Sequence, residues 1–96
     1  MLLAERDTPE GLLVSVCDAE DLGETFEGDG VSLTADPEFY DGEAADADAV
    51  TDALARCSVA NLVGEESVGV AVEAGFVAEG NVLDLDGTRH AQYLRL

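Results

Sequence analysis

The chain has 96 residues, with twenty-two Asp or Glu against four Arg, no Lys and one His, giving a formal net charge of -18. Hydrophobic residues make up 47%, which supplies the apolar surface that disordered polyanions of similar charge lack. This length predicts a single compact domain over residues 1–96 with little room for a large internal pocket.

The acids run from Glu5 to Asp86, so the excess belongs to the whole surface and not to a tail. A uniformly anionic skin repels itself in dilute salt and is tolerated where salt screens it. The expectation is therefore a halophilic, cytoplasmic protein. No apolar run reaches the length of about 18 to 20 residues that a membrane helix needs, and "MLLAERDTPEG" lacks the basic and apolar regions of a secretory signal. Phosphate binding rests on Lys and Arg, so the charge disfavours direct nucleic-acid binding.

In chain order, "MLLAER" reads as a short strand, "DTPEG" as a turn, and "LLVSVC" (12–17) as a valine-rich strand completing a hairpin. "DAEDLG" predicts one helical turn, with Asp18 capping the amide of Asp21 and Gly23 closing it in the left-handed region. "VSLT" (31–34) is a strand candidate bounded by glycines, whereas "ADPEFYDGE" reads as irregular, with Phe39 and Tyr40 on different sides.

Val50, Leu54 and Cys57, widened by Ala53 and Ala60, recur at helical spacing and predict a helix from Asp46 to Leu62. Asn61 or Gly64 then ends it, making "ANLVGEE" a helix-to-helix junction. A second helix follows from Glu65 to Ala74, and Gly69 within it suggests close approach to a neighbour. In "NVLDLDGTRHAQYLRL", Asp86-Gly87 predicts a tight two-residue hairpin turn. That register sets Leu83 opposite His90, Asp84 opposite Arg89 and Leu85 opposite Thr88. It groups His90 with Gln92, Leu94 and Leu96, and Arg89 with Tyr93 and Arg95 on the other face. These elements give an α+β fold: a small, mainly antiparallel sheet covered by two helices in two layers.

Chemistry-bearing motifs are sparse. Cys17 and Cys57 form no CxxC pair, and one histidine cannot furnish a structural zinc site. There is no phosphate-binding glycine fingerprint and no serine elbow, so no catalytic, cofactor or metal residue is assigned. Two readings of the remaining residues point to contact or to chemistry. The junction residues Asn61 and Gly64, with the face bearing Arg89, Tyr93 and Arg95, form candidate interaction surfaces, because Tyr and Arg combine apolar area with directed hydrogen bonds. Alternatively, Cys17 or Cys57 pairs with His90 as nucleophile and base.

Taken together, "VSVCDAEDLGETF", "FY", "ANLVGEESV" and "NVLDLDGTRHAQYLRL" resemble an archaeal family of small proteins, the domain of unknown function 424. The resemblance runs from about Leu12 to Leu96 and implies a compact α+β domain. It brings no catalytic residue or cofactor, but implies a role accessory to translation. With acids where the family's basic residues fall, a protein partner is expected in preference to RNA. The leading expectation is a non-enzymatic protein-binding module. A small Cys/His enzyme and a nucleic-acid binder using a local Arg patch are the alternatives, and oligomeric state is left open.

Overall fold

The computed structural model describes residues 1–95. Strands β1 (Leu2–Thr8) and β2 (Gly11–Cys17) form the expected hairpin, with Thr8 opposite Gly11 and Leu2 opposite Cys17. A single 3-10 turn, Ala19–Asp21, follows, and Gly23 has the left-handed φ of 84° anticipated for it. Strands β3 (Thr25–Gly28) and β4 (Val31–Thr34) make a separate two-stranded sheet. The expected strand at 31–34 is present, and its partner β3 is an addition.

The segment read as irregular contains a short helix α1 (Pro37–Tyr40), started by Asp36, whose carboxylate accepts from the Glu38 amide. Proline at the first helical position costs nothing there, because that N–H has no helical partner. Tyr40 is buried and Phe39 half-buried, the two rings meeting edge to face with centroids 4.9 Å apart. Strand β5 (Glu43–Ala44) then pairs briefly with β1.

Helix α2 (Ala47–Arg56) starts at the Asp46 cap, whose carboxylate accepts from the Ala49 amide. It stops six residues before the predicted end. Instead of continuing to Leu62, the chain becomes extended at Cys57 and enters strand β6 (Val59–Val63). The "ANLV" segment is therefore part of a central strand, not a junction between helices. Helix α3 (Glu65–Glu73), a second 3-10 turn (Glu79–Asn81) and the strands β7 (Leu83–Leu85) and β8 (Thr88–Leu94) complete the fold. The terminal hairpin has the predicted register, with Leu83 opposite His90, Asp84 opposite Arg89 and Leu85 opposite Thr88. Leu96 lies outside the described residues.

The main sheet has the order β5-β1-β2-β6-β8-β7 and is antiparallel except for β2 and β6. Parallel pairing requires a crossover longer than a hairpin turn, and the chain from Asp18 to Ser58 supplies it. Helices α2 and α3 cover one face, where Val14, Val16, Val50, Leu54, Leu62 and Val68 form the fully buried centre. On the other face a smaller cluster of Cys17, Ala35, Tyr40 and Val63 sits beneath the β3-β4 hairpin and α1. This second cover is short and spans only part of the sheet.

Candidate functional site

The sheet register sorts the candidate residues onto faces. On the side away from α2 and α3, one cross-strand row holds Leu2, Cys17, Val63, His90 and Leu83. The next holds Ala4, Ser15, Asn61 and Gln92, and the third holds Arg6, Leu13, Val59 and Leu94. The first row is roofed by the smaller cluster, whereas the β6-β8 end of the other two rows reaches solvent. There Val59 and Asn61 are half-buried, Gln92 is exposed and Leu94 is 60% exposed.

Asn61 Oδ1 accepts from Gln92 Nε2 at 2.7 Å, fixing both amides across the two strands. Beside them Ser15 is fully buried, and its hydroxyl has no hydrogen-bond partner among the described residues. Leu13 and Val59 continue into a cleft of about 270 Å³ at the end of the sheet, bounded also by Gly11, Leu12, Ser58 and the β1-β2 turn, where Glu10 places one acid on its rim. None of the thirteen positions in the three rows is acidic.

The other expected contact residues are occupied within the chain. Gly64 begins α3 with φ 123°, and any Cβ placed there would collide with the Asp18 carboxylate. Arg89 pairs with Glu79 and with Asp84. Tyr93 packs edge to face on Phe76, centroid distance 5.3 Å, at the rim of the main core. Arg95 donates to the carbonyls of Cys57, Ala55 and Leu54, at 2.9, 2.7 and 3.3 Å, and so closes the last turn of α2. The remaining arginines are also engaged, Arg6 with the carbonyls of Glu38 and Phe39 and Arg56 with Glu5 and Asp52. Gly69 was expected to admit a close neighbour, but a Cβ there would meet nothing within 4 Å.

Cys17, Cys57 and His90 do not assemble into a reactive group. Both thiols are fully buried and donate to local carbonyls, Cys17 to Asp18 and Cys57 to Leu54, each at 3.3 Å. Burial, with the nearby Asp21 and Asp18 carboxylates, pushes the Cys17 thiol up to about 12, and burial also raises Cys57. The nucleophile is the thiolate, so these shifts run against reactivity. Cys17 and His90 share a row with Val63 between them, about 9 to 10 Å apart backbone to backbone at normal strand spacing. His90 Nδ1 lies 2.9 Å from the Leu62 carbonyl; the carbonyl can only accept, so Nδ1 carries the proton. Among the described residues no group of three or more His, Cys, Asp or Glu is placed to hold a metal ion, and no helix is long and apolar enough to cross a membrane.

Sequence reasoning read Asp18 as a local cap and missed its partner, the N-terminus of α3. The Asp18 carboxylate accepts from the amides of Glu66 and Ser67, at 3.0 and 2.8 Å, and from the Ser67 hydroxyl at 2.7 Å. The expected cap on Asp21 is made instead by the Asp18 backbone carbonyl. Thr88, read from the sequence only as the partner of Leu85, donates its hydroxyl to Asp21 at 2.6 Å.

What fold and surface define is a small α+β domain with a mixed, mostly antiparallel sheet, packed by helices. The chain belongs to the family described as protein of unknown function (DUF424), whose model matches residues 5–96. It is similar to an uncharacterized conserved protein of known crystal structure from Methanopyrus kandleri, with 25% identity and a TM-score of 0.77 over 99% of this chain and 93% of that one. No curated protein matches the chain.

Proposed function

We propose that this protein is a non-enzymatic protein-binding module whose contact surface is the uncovered end of the sheet, formed by Leu13, Val59, Asn61, Gln92 and Leu94. The observation that carries the reading is the absence of acids there, in a chain with net charge -18. Desolvating a carboxylate without a partner is costly, and interface centres are depleted of charged residues. A surface for association therefore belongs where the anionic skin is interrupted. The partner is a protein presenting an uncharged, partly apolar patch, with donors or acceptors for the Asn61 and Gln92 amides.

The setting proposed is a cytoplasm of high salt, supported by the lysine-free, acid-rich composition. Family resemblance supplies the accessory role in translation as the context in which to seek the partner. Of the expected contact residues, Asn61 stays with this reading, and Gly64, Arg89, Tyr93 and Arg95 become supports of the fold. An Arg patch for nucleic acid draws no support from a surface on which all four arginines already have partners.

The test is affinity capture from a native extract in molar KCl with wild type, Leu94→Asp and Gln92→Glu, followed by ribosome co-sedimentation. Wild type should recover a stoichiometric protein that both folded variants lose. Recovery unchanged by either variant, or persistence of the wild type alone, overturns the proposal.

A further inference from the structure

At the other end of the sheet, β1 is an edge strand over most of its length. Along β1 the backbone groups of alternate residues face β2 or face outward. The Leu12 carbonyl points to β6, where it accepts from the Ser58 amide at 2.8 Å. Asp7, directly opposite Leu12, therefore turns its N–H and C=O away from β2, and by the same alternation so do Glu5, Leu3 and Met1. Met1 and Leu3 meet β5, the Met1 carbonyl accepting from the Ala45 amide at 2.9 Å.

Strand β5 then ends. Gly42 lies so close to the Leu3 carbonyl that a side chain there would collide, and beyond it the chain departs into α1. The outward backbone groups of Glu5 and Asp7 have no partner among the described residues. Where β5 stops, a groove of about 490 Å³ opens, lined by the β1 edge from Leu3 to Arg6, by Gly42–Ala45 and by Ala49 of α2. The opposite edge of the sheet is closed differently: the Asp86 amide, just past β7, donates to Glu27 of β3 at 2.9 Å.

We infer that the Glu5–Asp7 edge of β1 accepts an extended, lysine- or arginine-bearing segment of another protein as an added strand. Backbone pairing supplies the affinity in such additions, and alternate side chains supply the selectivity. On the α2 side the incoming strand would pass Glu5, whose carboxylate Arg56 already holds at 2.9 Å, and Asp7, which has no ion-pair partner among the described residues, so a cationic residue fits opposite Asp7. On the other side it would pass Ala4 and Arg6, where uncharged residues fit. A second copy of this chain is disfavoured, because antiparallel pairing of two β1 edges centred on Arg6 sets Glu5 of each copy against Asp7 of the other, and directly opposed like charges destabilise a ladder. The same carboxylates that protect the edge from self-association thus favour a cationic strand. This edge is remote from Gln92 and Leu94 and stands independently of the surface proposed above.

The probe is a capped peptide alternating lysine and valine, about eight residues long, compared with the same peptide N-methylated at alternate residues. Titration is followed by amide shifts and hydrogen exchange of the full chain in molar KCl. The unmodified peptide should bind at least about tenfold more tightly and slow exchange at Glu5 and Asp7 by a similar factor. Asp7→Pro, which removes an outward N–H and leaves the β2 ladder intact, should lose that preference. Equal binding of the methylated peptide, no binding, or shifts spread over the acidic surface overturns the inference, and the peptide comparison stands even if Asp7→Pro fails to fold. Self-association of the protein alone, abolished by blocking this edge, overturns it in favour of a second copy.

Discussion

Asp18 caps a helix that begins 47 positions later in the chain, its Oδ1 accepting from both the backbone amide and the hydroxyl of Ser67, at 2.8 and 2.7 Å. A helix N-terminus exposes unpaired N–H groups and a partial positive charge; Gly64 at the cap position has no side chain to answer them. Asp18, at the end of β2, occupies the space that Gly64 leaves empty. The contact ties β2, β6 and α3 into one corner, because Asp18 N–H also donates to the Val63 carbonyl at 2.9 Å.

Asp18→Ala should therefore destabilise the fold by about 2 to 3 kcal/mol, the scale of a lost charged cap that leaves buried donors unpaired. Urea unfolding at fixed salt with an unchanged m-value checks it. Gly64→Ala should be at least as damaging, since it forces a β-carbon into the carboxylate at a left-handed φ. In the double variant the two costs should fall short of adding, because removing the carboxylate relieves the collision.

Arg95 performs the matching task at the C-terminal end of α2. Its planar guanidinium reaches three carbonyls at once and lies 5.7 Å from the Tyr93 ring centre. Arg95→Ala should cost about 1 to 2 kcal/mol and speed hydrogen exchange in the last turn of α2 before any global loss. Arg95→Lys should restore only part of it, since an ammonium keeps the charge but not the fork.

These two contacts explain what the sequence made legible. The hairpin at Asp86-Gly87 was readable to the residue, as was the start of α3 at Glu65, and the first hairpin was readable as a hairpin although its turn is the tighter Pro9-Glu10 and its strands reach Thr8 and Gly11. The end of α2 was not. Cys57 and Ala60 continue the helical spacing of Val50 and Leu54, and no glycine or proline intervenes. What stops the helix is tertiary: Ser58 donates to Leu12, and Arg95 takes the last carbonyls. For the same reason Asp18 looked like a local cap. The proposed contact surface was only partly legible, because Asn61 joins Gln92 through a pairing of β6 with β8 that required recognising β6 as a strand.

Thiol chemistry offers a direct check on the enzyme alternative. With Cys17 pushed up to about 12 and both sulfurs fully buried, modification by a disulfide reagent at neutral pH should be limited by opening of the fold. Labelling should accelerate with urea in step with unfolding. Rapid stoichiometric labelling of either cysteine under native conditions would instead revive a Cys/His nucleophile.

Acidification should separate Asp21 from the other carboxylates. Burial raises its pKa above the usual 3.8, opposed by the hydrogen bond from Thr88, while Asp18, Glu20 and Glu24 add to the rise. With the folded pKa above the unfolded one, the folded state binds the proton more readily. Ionised Asp21 therefore costs stability at neutral pH, and that cost is relieved as pH falls through its folded pKa toward the unfolded value. Asp21→Asn keeps an acceptor for Thr88 without the charge, so it should be more stable than wild type at neutral pH. The advantage should shrink to nothing once the wild-type carboxyl is protonated in both states. Thr88→Val removes the bond that favours the ionised form and should cost about 1 to 2 kcal/mol, more at neutral than at acidic pH. Urea midpoints of the three proteins across the carboxylate range, in constant molar KCl, measure both effects. A gap between Asp21→Asn and wild type that widens on acidification would mean that Asp21 stabilises the fold as a carboxylate.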